Sequence, residues 1–139
     1  MKNIQFALII IFALLITGSC EDDLGLLSDD PRDAFVGDWS VKEENSIKST
    51  EYYNVSIEKS ASDSALVQIK NFYEIGNDAS VEAVVSGGSV TIRDQTVSGF
   101  TIQGSGDIAI NDKSIDWTYT VNHNNGFTDH VTATYTKID

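Results

Sequence analysis

Apolar and polar residues alternate from Val36 almost to the C-terminus, and this period of two is typical of strands with one buried face. In the clearest run, residues 115–122, the odd-numbered residues are apolar or aromatic and the even-numbered ones are polar. The sequence therefore predicts an all-β domain of about eight strands. The other seven runs centre on Trp39 and Val41, Tyr53 to Ile57, Val67 and Ile69, Val81 to Val85, Val90 and Ile92, residues 100–110, and Val131 to Tyr135.

In the run over residues 100–110, the even-numbered apolar residues, up to Ile110, are predicted to share the inner face. Gly104 and Gly106 interrupt them, and we interpret the two glycines as a bend in the strand. The same residues match the G-x-G-x-x-A pattern of dinucleotide-binding loops, which requires a helix directly afterwards. Strand pattern continues on both sides, so the pattern does not indicate a nucleotide site.

Short turns separate the predicted strands. Gly87-Gly88, residues 111–113 and residues 123–126 are turn sequences, and no helical stretch intervenes, so neighbouring strands should pair antiparallel. Asp30 and Pro31 predict one helical turn before the first strand, with Asp30 as its cap. Eight strands in this order can close into an up-and-down barrel, which removes the exposed edges of a sheet. A two-sheet sandwich would show the same pattern, and we favour the barrel.

The N-terminal segment has the features of a secretory signal. Lys2 precedes an apolar run over residues 4–16, followed by three small residues and then Cys20. A membrane span is the alternative, but its thirteen residues fall short of the roughly 17–25 that a helix needs to cross a bilayer. The sequence predicts a signal peptide over 1–19, an acidic tether over 20–30 and one domain over 31–139.

Charge limits the partners of this domain. Removal of Lys2 with the signal changes the formal net charge from −12 to −13, with 21 acidic residues in the chain. Phosphate backbones are bound by clustered Lys and Arg, so nucleic acid is excluded as a partner. Repulsion also disfavours adsorption to anionic lipid.

The small residues before Cys20 resemble the lipobox of bacterial lipoproteins, in which the cysteine receives a diacylglycerol. The resemblance implies lipidation of Cys20 and attachment to a membrane. Residues 21–23 are all acidic and resemble the surface-export signal of lipoproteins in Bacteroidetes-type bacteria, which implies an outer-membrane location on the cell surface. The alternative is an acidic spacer that leaves the protein on the periplasmic face.

The start of the first strand reads Phe-Val-Gly-Asp-Trp, with Gly37 and Trp39 placed as in the G-x-W motif of lipocalins. The resemblance implies a lipocalin-like barrel in which Gly37 turns the chain into the strand and Trp39 closes the floor. Lys137, on the last strand, would take the place of the arginine that covers this tryptophan. The whole layout resembles small lipocalin-like lipoproteins of Bacteroidetes-type bacteria, and this resemblance implies a fold and a location but no activity.

The aromatic residues predicted to face inward are Tyr53, Trp117, Tyr119 and Tyr135. They could line a pocket for an apolar ligand or simply fill the barrel core. Tyr73 is predicted to face outward.

No catalytic motif is present in the sequence, and the only cysteine is the predicted lipidation site. His123 and His130 flank the last hairpin and are interpreted as exposed loop residues, because a zinc site needs more ligands at closer spacing. We therefore predict no catalytic residues, no metal and no cofactor.

Two function classes remain. The first is a non-catalytic barrel that binds a small apolar or amphiphilic ligand, or a protein partner. The second is a structural or accessory subunit of a cell-envelope assembly with no ligand of its own. A cavity open at one end favours the first class, and a filled barrel with an exposed apolar patch favours the second.

Overall fold

The computed structural model describes residues 30–47 and 49–139. The predicted signal peptide and all of the predicted tether except Asp30 lie outside the described residues, as does Lys48. Within the described residues, no helix combines the length and the hydropathy that a membrane crossing requires.

The domain is a closed barrel of eight strands in which each strand pairs antiparallel with its neighbours along the chain. This confirms the predicted all-β, lipocalin-like barrel and shows that the sandwich alternative is wrong. Two short 3-10 helices accompany the strands. The elements are η1 Pro31–Ala34, β1 Gly37–Glu44, β2 Thr50–Lys59, β3 Leu66–Lys70, η2 Phe72–Glu74, β4 Ser80–Ser86, β5 Ser89–Val97, β6 Phe100–Ile108, β7 Ser114–Asn122 and β8 Thr128–Lys137.

Pairing of β1 with β8 closes the barrel. Trp39 lies opposite Val55 on β2 and opposite Lys137 on β8, so one strand joins both ends of the sheet. Since side chains alternate along a strand, each strand sends every second residue into the interior. In β7 the buried residues are the odd-numbered ones, as the alternation predicts.

Ile110 is a correction to the predicted pattern. It lies two residues beyond the end of β6 and is fully exposed. The turn begins earlier than the alternation indicates, because the Ala109 amide donates to the Ser114 carbonyl and the Asp112 amide donates to the Ala109 carbonyl. The apolar pattern thus extends past the strand into the turn.

Gly104 and Gly106 give room to aromatic side chains on the neighbouring strand. Gly106 pairs with Trp117, and a Cβ atom on Gly106 would lie 2.7 Å from the Trp117 ring. Gly104 pairs with Tyr119, whose backbone and Cβ would clash in the same way. The two glycines therefore let the large side chains of β7 fold against β6.

The connections divide between two ends of the barrel. The mouth end carries the loops β1–β2, β3–β4, β5–β6 and β7–β8, and the floor end carries β2–β3, β4–β5 and β6–β7. Because η1 precedes β1 and the chain ends after β8, both Asp30 and the C-terminal Asp139 also lie at the floor end.

The η1 helix is fastened across the floor. Asp30 caps it through its carboxylate, which accepts from the Arg32 backbone N–H at 3.0 Å, as the sequence predicts. The Arg32 side chain is buried, and its Nη1 donates to the carbonyls of Asp63 at 3.0 Å and Leu66 at 3.2 Å. These bonds tie the start of the domain to the β2–β3 loop. The Arg32 guanidinium, followed by the Arg32 backbone N–H, holds the pKa of Asp30 well below its ordinary value.

Trp39 is completely buried just above this helix. Its indole N–H donates to the Phe35 carbonyl at 2.8 Å, and the Lys137 ammonium lies 5.1 Å from the ring centroid. The same ammonium donates to the Ala34 carbonyl at 3.4 Å. Gly37 has φ of +130°, a backbone conformation that a side chain would strain. The structure thus brings the three predicted barrel-closing residues to one place.

We expect Trp39→Ala to lower the free energy of unfolding by about 3–5 kcal/mol, because it removes a large buried side chain. Lys137→Ala should cost much less, about 0.5–2 kcal/mol, since a cation–π contact is weaker. Urea unfolding of both variants and of the double variant gives their coupling. Strictly additive losses would show that the two residues do not act together in closing the barrel.

A candidate binding site at the barrel mouth

A buried carboxyl group lies inside the barrel near its mouth. Glu43 follows Trp39 and Val41 on the inner face of β1 and is 3 % exposed. The hydroxyl of Tyr119 donates to its Oε2 at 2.5 Å, and the hydroxyl of Tyr53 donates to the same oxygen. Burial raises the pKa of Glu43 above its ordinary value, although these two hydrogen bonds act in the opposite direction.

The predicted ligand-lining residues surround this carboxyl group. Trp117, Tyr119 and Tyr135 are buried and Tyr53 is partly buried, so all four side chains lie inside the barrel. Burial raises the pKa of each tyrosine well above its ordinary value, which keeps the hydroxyls protonated. The Trp117 indole N–H and the Tyr135 hydroxyl have no hydrogen-bond partner among the described residues. An unpaired buried polar group is costly, so these two atoms are available to an added partner.

A second buried acid lies closer to the rim. Asp129 is 3 % exposed and accepts from the Ser46 hydroxyl at 2.6 Å, the Ser46 amide at 3.0 Å and the Tyr73 hydroxyl at 2.9 Å. Burial alone would raise the pKa of Asp129, but these hydrogen bonds bring it below its ordinary value. The bonds tie the β1–β2 and β3–β4 loops to the start of β8.

The β3–β4 loop, residues 71–79, covers the mouth. Its Phe72 is completely buried, and the Phe72 ring centroid lies 4.6 Å from that of Tyr119 and 6.0 Å from that of Trp117. The next residue, Tyr73, contacts the rings of Phe100 and His123, and its hydroxyl lies 3.2 Å from Nε2 of His123.

The backbone of this loop has an unusual conformation. Asn71, Tyr73 and Glu74 have φ of 60°, 52° and 56°, in the left-handed region. For residues with a side chain this region costs about 1–2 kcal/mol each. The contacts of Phe72 and Tyr73 therefore hold the loop against an opposing local preference.

Two sequence interpretations are wrong here. Tyr73 does not face outward but bonds to Asp129 inside the mouth, and His123 is not an exposed loop residue but packs on Tyr73. In both cases the β3–β4 loop folds back over the barrel, which its sequence does not indicate. His130 is exposed, as predicted.

Sequence reasoning also missed Glu43 and Asp129. A signal was present, since Glu43 shares the odd-numbered parity of Trp39 and Val41, and Asp129 shares that of Val131. Charged residues at inward positions of a strand are uncommon and mark candidate functional groups.

Side chains fill the barrel around these groups. Trp117, Tyr119, Tyr135 and Phe72 are each at most 2 % exposed. Grooves are present on the outer wall, including one of about 560 Å³ over β5, β6 and β7 that is open to solvent and lined by residues such as Arg93 and Thr118. Within residues 30–47 and 49–139, no group of three or more His, Cys, Asp or Glu side chains is placed to hold a metal ion.

The solved structures that match this chain include designed β-barrels. A redesigned β-barrel matches with a TM-score of 0.59 and 12% identity, over 79% of this chain and 96% of that one. The redesigned barrel mFAP1, bound to DFHBI, matches with a TM-score of 0.58 and 13% identity, over 78% of this chain and 99% of that one. EF1p2_mFAP2b, also bound to DFHBI, matches with a TM-score of 0.57 and 13% identity, over 78% of this chain and 98% of that one. The fold is an eight-stranded, lipocalin-like barrel.

Neither a scan against protein-family models nor a search of the curated proteins found a match. At 12–13% identity, the likeness to the designed barrels concerns the fold alone.

The raised pKa of Glu43 predicts how stability depends on pH. The folded state holds the Glu43 proton more tightly than the unfolded state, so this group stabilises the fold fully below the ordinary pKa of 4.5. The contribution is lost as the pH rises through the higher folded pKa. We therefore expect the free energy of unfolding of the wild-type protein to fall relative to that of Glu43→Gln as the pH increases above 4.5. Unfolding titrations at successive pH values measure this difference.

Glu44→Gln is the matched control, because Glu44 is the next residue of β1 and lies on the outer face. A constant difference between the wild-type protein and Glu43→Gln across the pH series would show that Glu43 titrates alike in the folded and unfolded states.

Proposed function

We propose that this protein is an outer-membrane lipoprotein, anchored through Cys20 and exposed on the cell surface. Its barrel acts as a non-catalytic binding module for a small apolar or amphiphilic ligand, or for a protein partner. The alternative location is the periplasmic face of the membrane.

The observation that carries the binding proposal is the buried Glu43 carboxyl with its tyrosine partners. A barrel that only needs a stable core gains nothing from burying a carboxyl group, since apolar side chains of similar volume are as stable or more so. Buried acids with raised pKa values cluster at functional sites. Small-molecule sites are in general mostly apolar, with a few placed polar groups, and the interior around Tyr119 and Trp117 has this composition.

The structural comparisons support a barrel that takes a ligand. Two of the similar designed barrels are described as bound to DFHBI. Their topology matches that of this chain, which supports a small ligand as a partner here.

The anchoring proposal depends on the sequence of the N-terminal segment. An apolar run too short to span a bilayer, followed by small residues and the only cysteine, supports cleavage and lipidation at Cys20. The three acidic residues that follow support export to the outer leaflet.

The filled interior favours the alternative function, a structural or accessory subunit of an envelope assembly without a ligand. Two apolar side chains on the loops of the mouth end, Ile47 and Phe127, are 71% and 42% exposed and could contact a partner. This alternative leaves the burial of Glu43 unexplained, and we therefore rank it second.

Metabolic labelling with an alkyne fatty acid tests the anchor. We expect the wild-type protein to carry the label and Cys20→Ser to lose it, because no other residue of the chain offers a thiol. Ser19→Ala keeps a small residue before the cysteine and serves as the control. Undiminished label in Cys20→Ser would exclude Cys20 as the lipidation site.

Native mass spectrometry of the full chain, purified from the cells that make it, tests the binding function. We expect an added mass of small-molecule size that disappears on denaturation and is reduced in Glu43→Gln. A chain without added mass, isolated in a stoichiometric complex with another envelope protein, would support the structural alternative instead.

A further inference from the structure

Phe72 differs from the large buried aromatic side chains of β7 and β8 because a loop carries it. Trp117, Tyr119 and Tyr135 belong to strands, and their positions are fixed by the ladders of β7 and β8. Phe72 enters from the mouth, and its ring packs on Tyr119 and Trp117. Its ring fills the interior beside these two aromatic side chains.

Few hydrogen bonds join this loop to the rest of the described barrel. Asn71 donates through its side-chain amide to the Asn54 carbonyl at 2.8 Å, and the Tyr73 hydroxyl donates to Asp129. The Tyr73 hydroxyl also lies 3.2 Å from Nε2 of His123. Other hydrogen bonds, such as those from the Gly76 amide to the Asn71 side chain and from the Asn71 amide to the Gly76 carbonyl, are internal to the loop and can move with it. Three left-handed residues add a local cost to the closed state.

The interior beneath Phe72 has polar groups that its own residues leave unused. The Trp117 indole N–H and the Tyr135 hydroxyl lack partners among the described residues, and the two rings lie 5.5 Å apart. Trp117 also contacts Phe72, so the Trp117 ring borders the space that Phe72 fills. The carboxyl group of Glu43 accepts a hydrogen bond from Tyr119, whose ring contacts Phe72.

We propose that Phe72 is an internal plug, and that the ligand is a planar aromatic molecule of one or two fused rings, without a negative charge, that displaces it. This inference rests on the proposed binding function and specifies its ligand. The ring of the ligand stacks on Tyr119 in place of Phe72, and an acceptor atom such as a carbonyl oxygen takes the free N–H of Trp117. The ligand restores the contacts with Tyr119 and Trp117 that Phe72 gives up. The barrel interior therefore stays covered, and only the Phe72 side chain loses its burial.

The two buried acids disfavour a negatively charged ligand. Glu43 lies in the upper interior and Asp129 lies at the mouth, and each is 3 % exposed. An anionic ligand would meet both of them at low solvent exposure, where repulsion is strong. Carboxylated aromatic molecules are therefore excluded.

Binding of 7-amino-4-methylcoumarin to the full chain tests the plug. The probe is neutral, planar and bicyclic, carries a carbonyl acceptor, and accepts energy from tryptophan emission, so bound probe quenches the fluorescence of the two tryptophans. We expect Phe72→Ala to bind it on the order of tenfold more tightly than the wild-type protein, because the competing plug is gone. An analogue of the probe with a ring carboxylate should bind to neither.

Phe35→Ala is the matched control, since Phe35 is equally buried but belongs to the floor end, next to Trp39. Tighter binding in both variants would show that any vacated phenylalanine site takes the probe, and would overturn the plug. Equal affinity in the wild-type protein and Phe72→Ala would also overturn it and leave the proposed binding function standing. No binding to folded Phe72→Ala would overturn the aromatic site, and the mass spectrometric result would then judge the function separately.

Tyr73→Phe provides a test that leaves Phe72 in place. It removes the hydroxyl that bonds to Asp129 and contacts His123 while keeping the ring. We expect the probe to associate several-fold faster, because the loop opens more often, and near-ultraviolet circular dichroism verifies the fold. An unchanged association rate would overturn displacement of the loop as the route of binding.

Discussion

Pairing of the first strand with the last determines the inside and the outside of this protein. Six residue pairs, from Trp39 with Lys137 to Glu44 with Thr132, close the sheet on itself. In the closed barrel, side chains along β1 alternate between the interior and the outer face. Because Trp39 points to the interior, Glu43, four residues later, does so too. The burial of the Glu43 carboxyl group is thus a direct consequence of the strand register that also buries Trp39 at the floor.

The two ends of the barrel are closed by different kinds of interaction. At the floor, the Arg32 side chain bonds to backbone carbonyls of the β2–β3 loop, and the Trp39 indole bonds to the carbonyl of Phe35. At the mouth, closure depends on the side chains of Phe72 and Tyr73, carried on backbone in an unfavourable conformation. Local opening follows the weaker set of contacts, so the mouth is the end expected to move.

The strands were predictable because period-two alternation and glycine turns are local signals. Glu43 was predictable in the same way, from its parity with Trp39, but a charged residue at an inner position looks like a break in the pattern. Phe72 and Tyr73 were not predictable. Their burial depends on how the β3–β4 loop folds over a barrel whose rim is built by residues far away in the chain, such as Asp129 and His123. The prediction that Ile110 faces inward was wrong for the opposite reason. Its apolar side chain continues the alternating pattern, but the hydrogen bonds of the turn have already ended strand β6.

The position of Asp30 has a geometric consequence. The chain enters the barrel at the floor, where η1 is fastened to the β2–β3 loop, whereas Glu43 and the β3–β4 loop lie at the opposite end. Any attachment upstream of Asp30 would therefore act on the floor end, with the β3–β4 loop at the far end of the barrel. A tether at this end would leave the mouth end, with Glu43 and Phe72, farthest from the point of attachment.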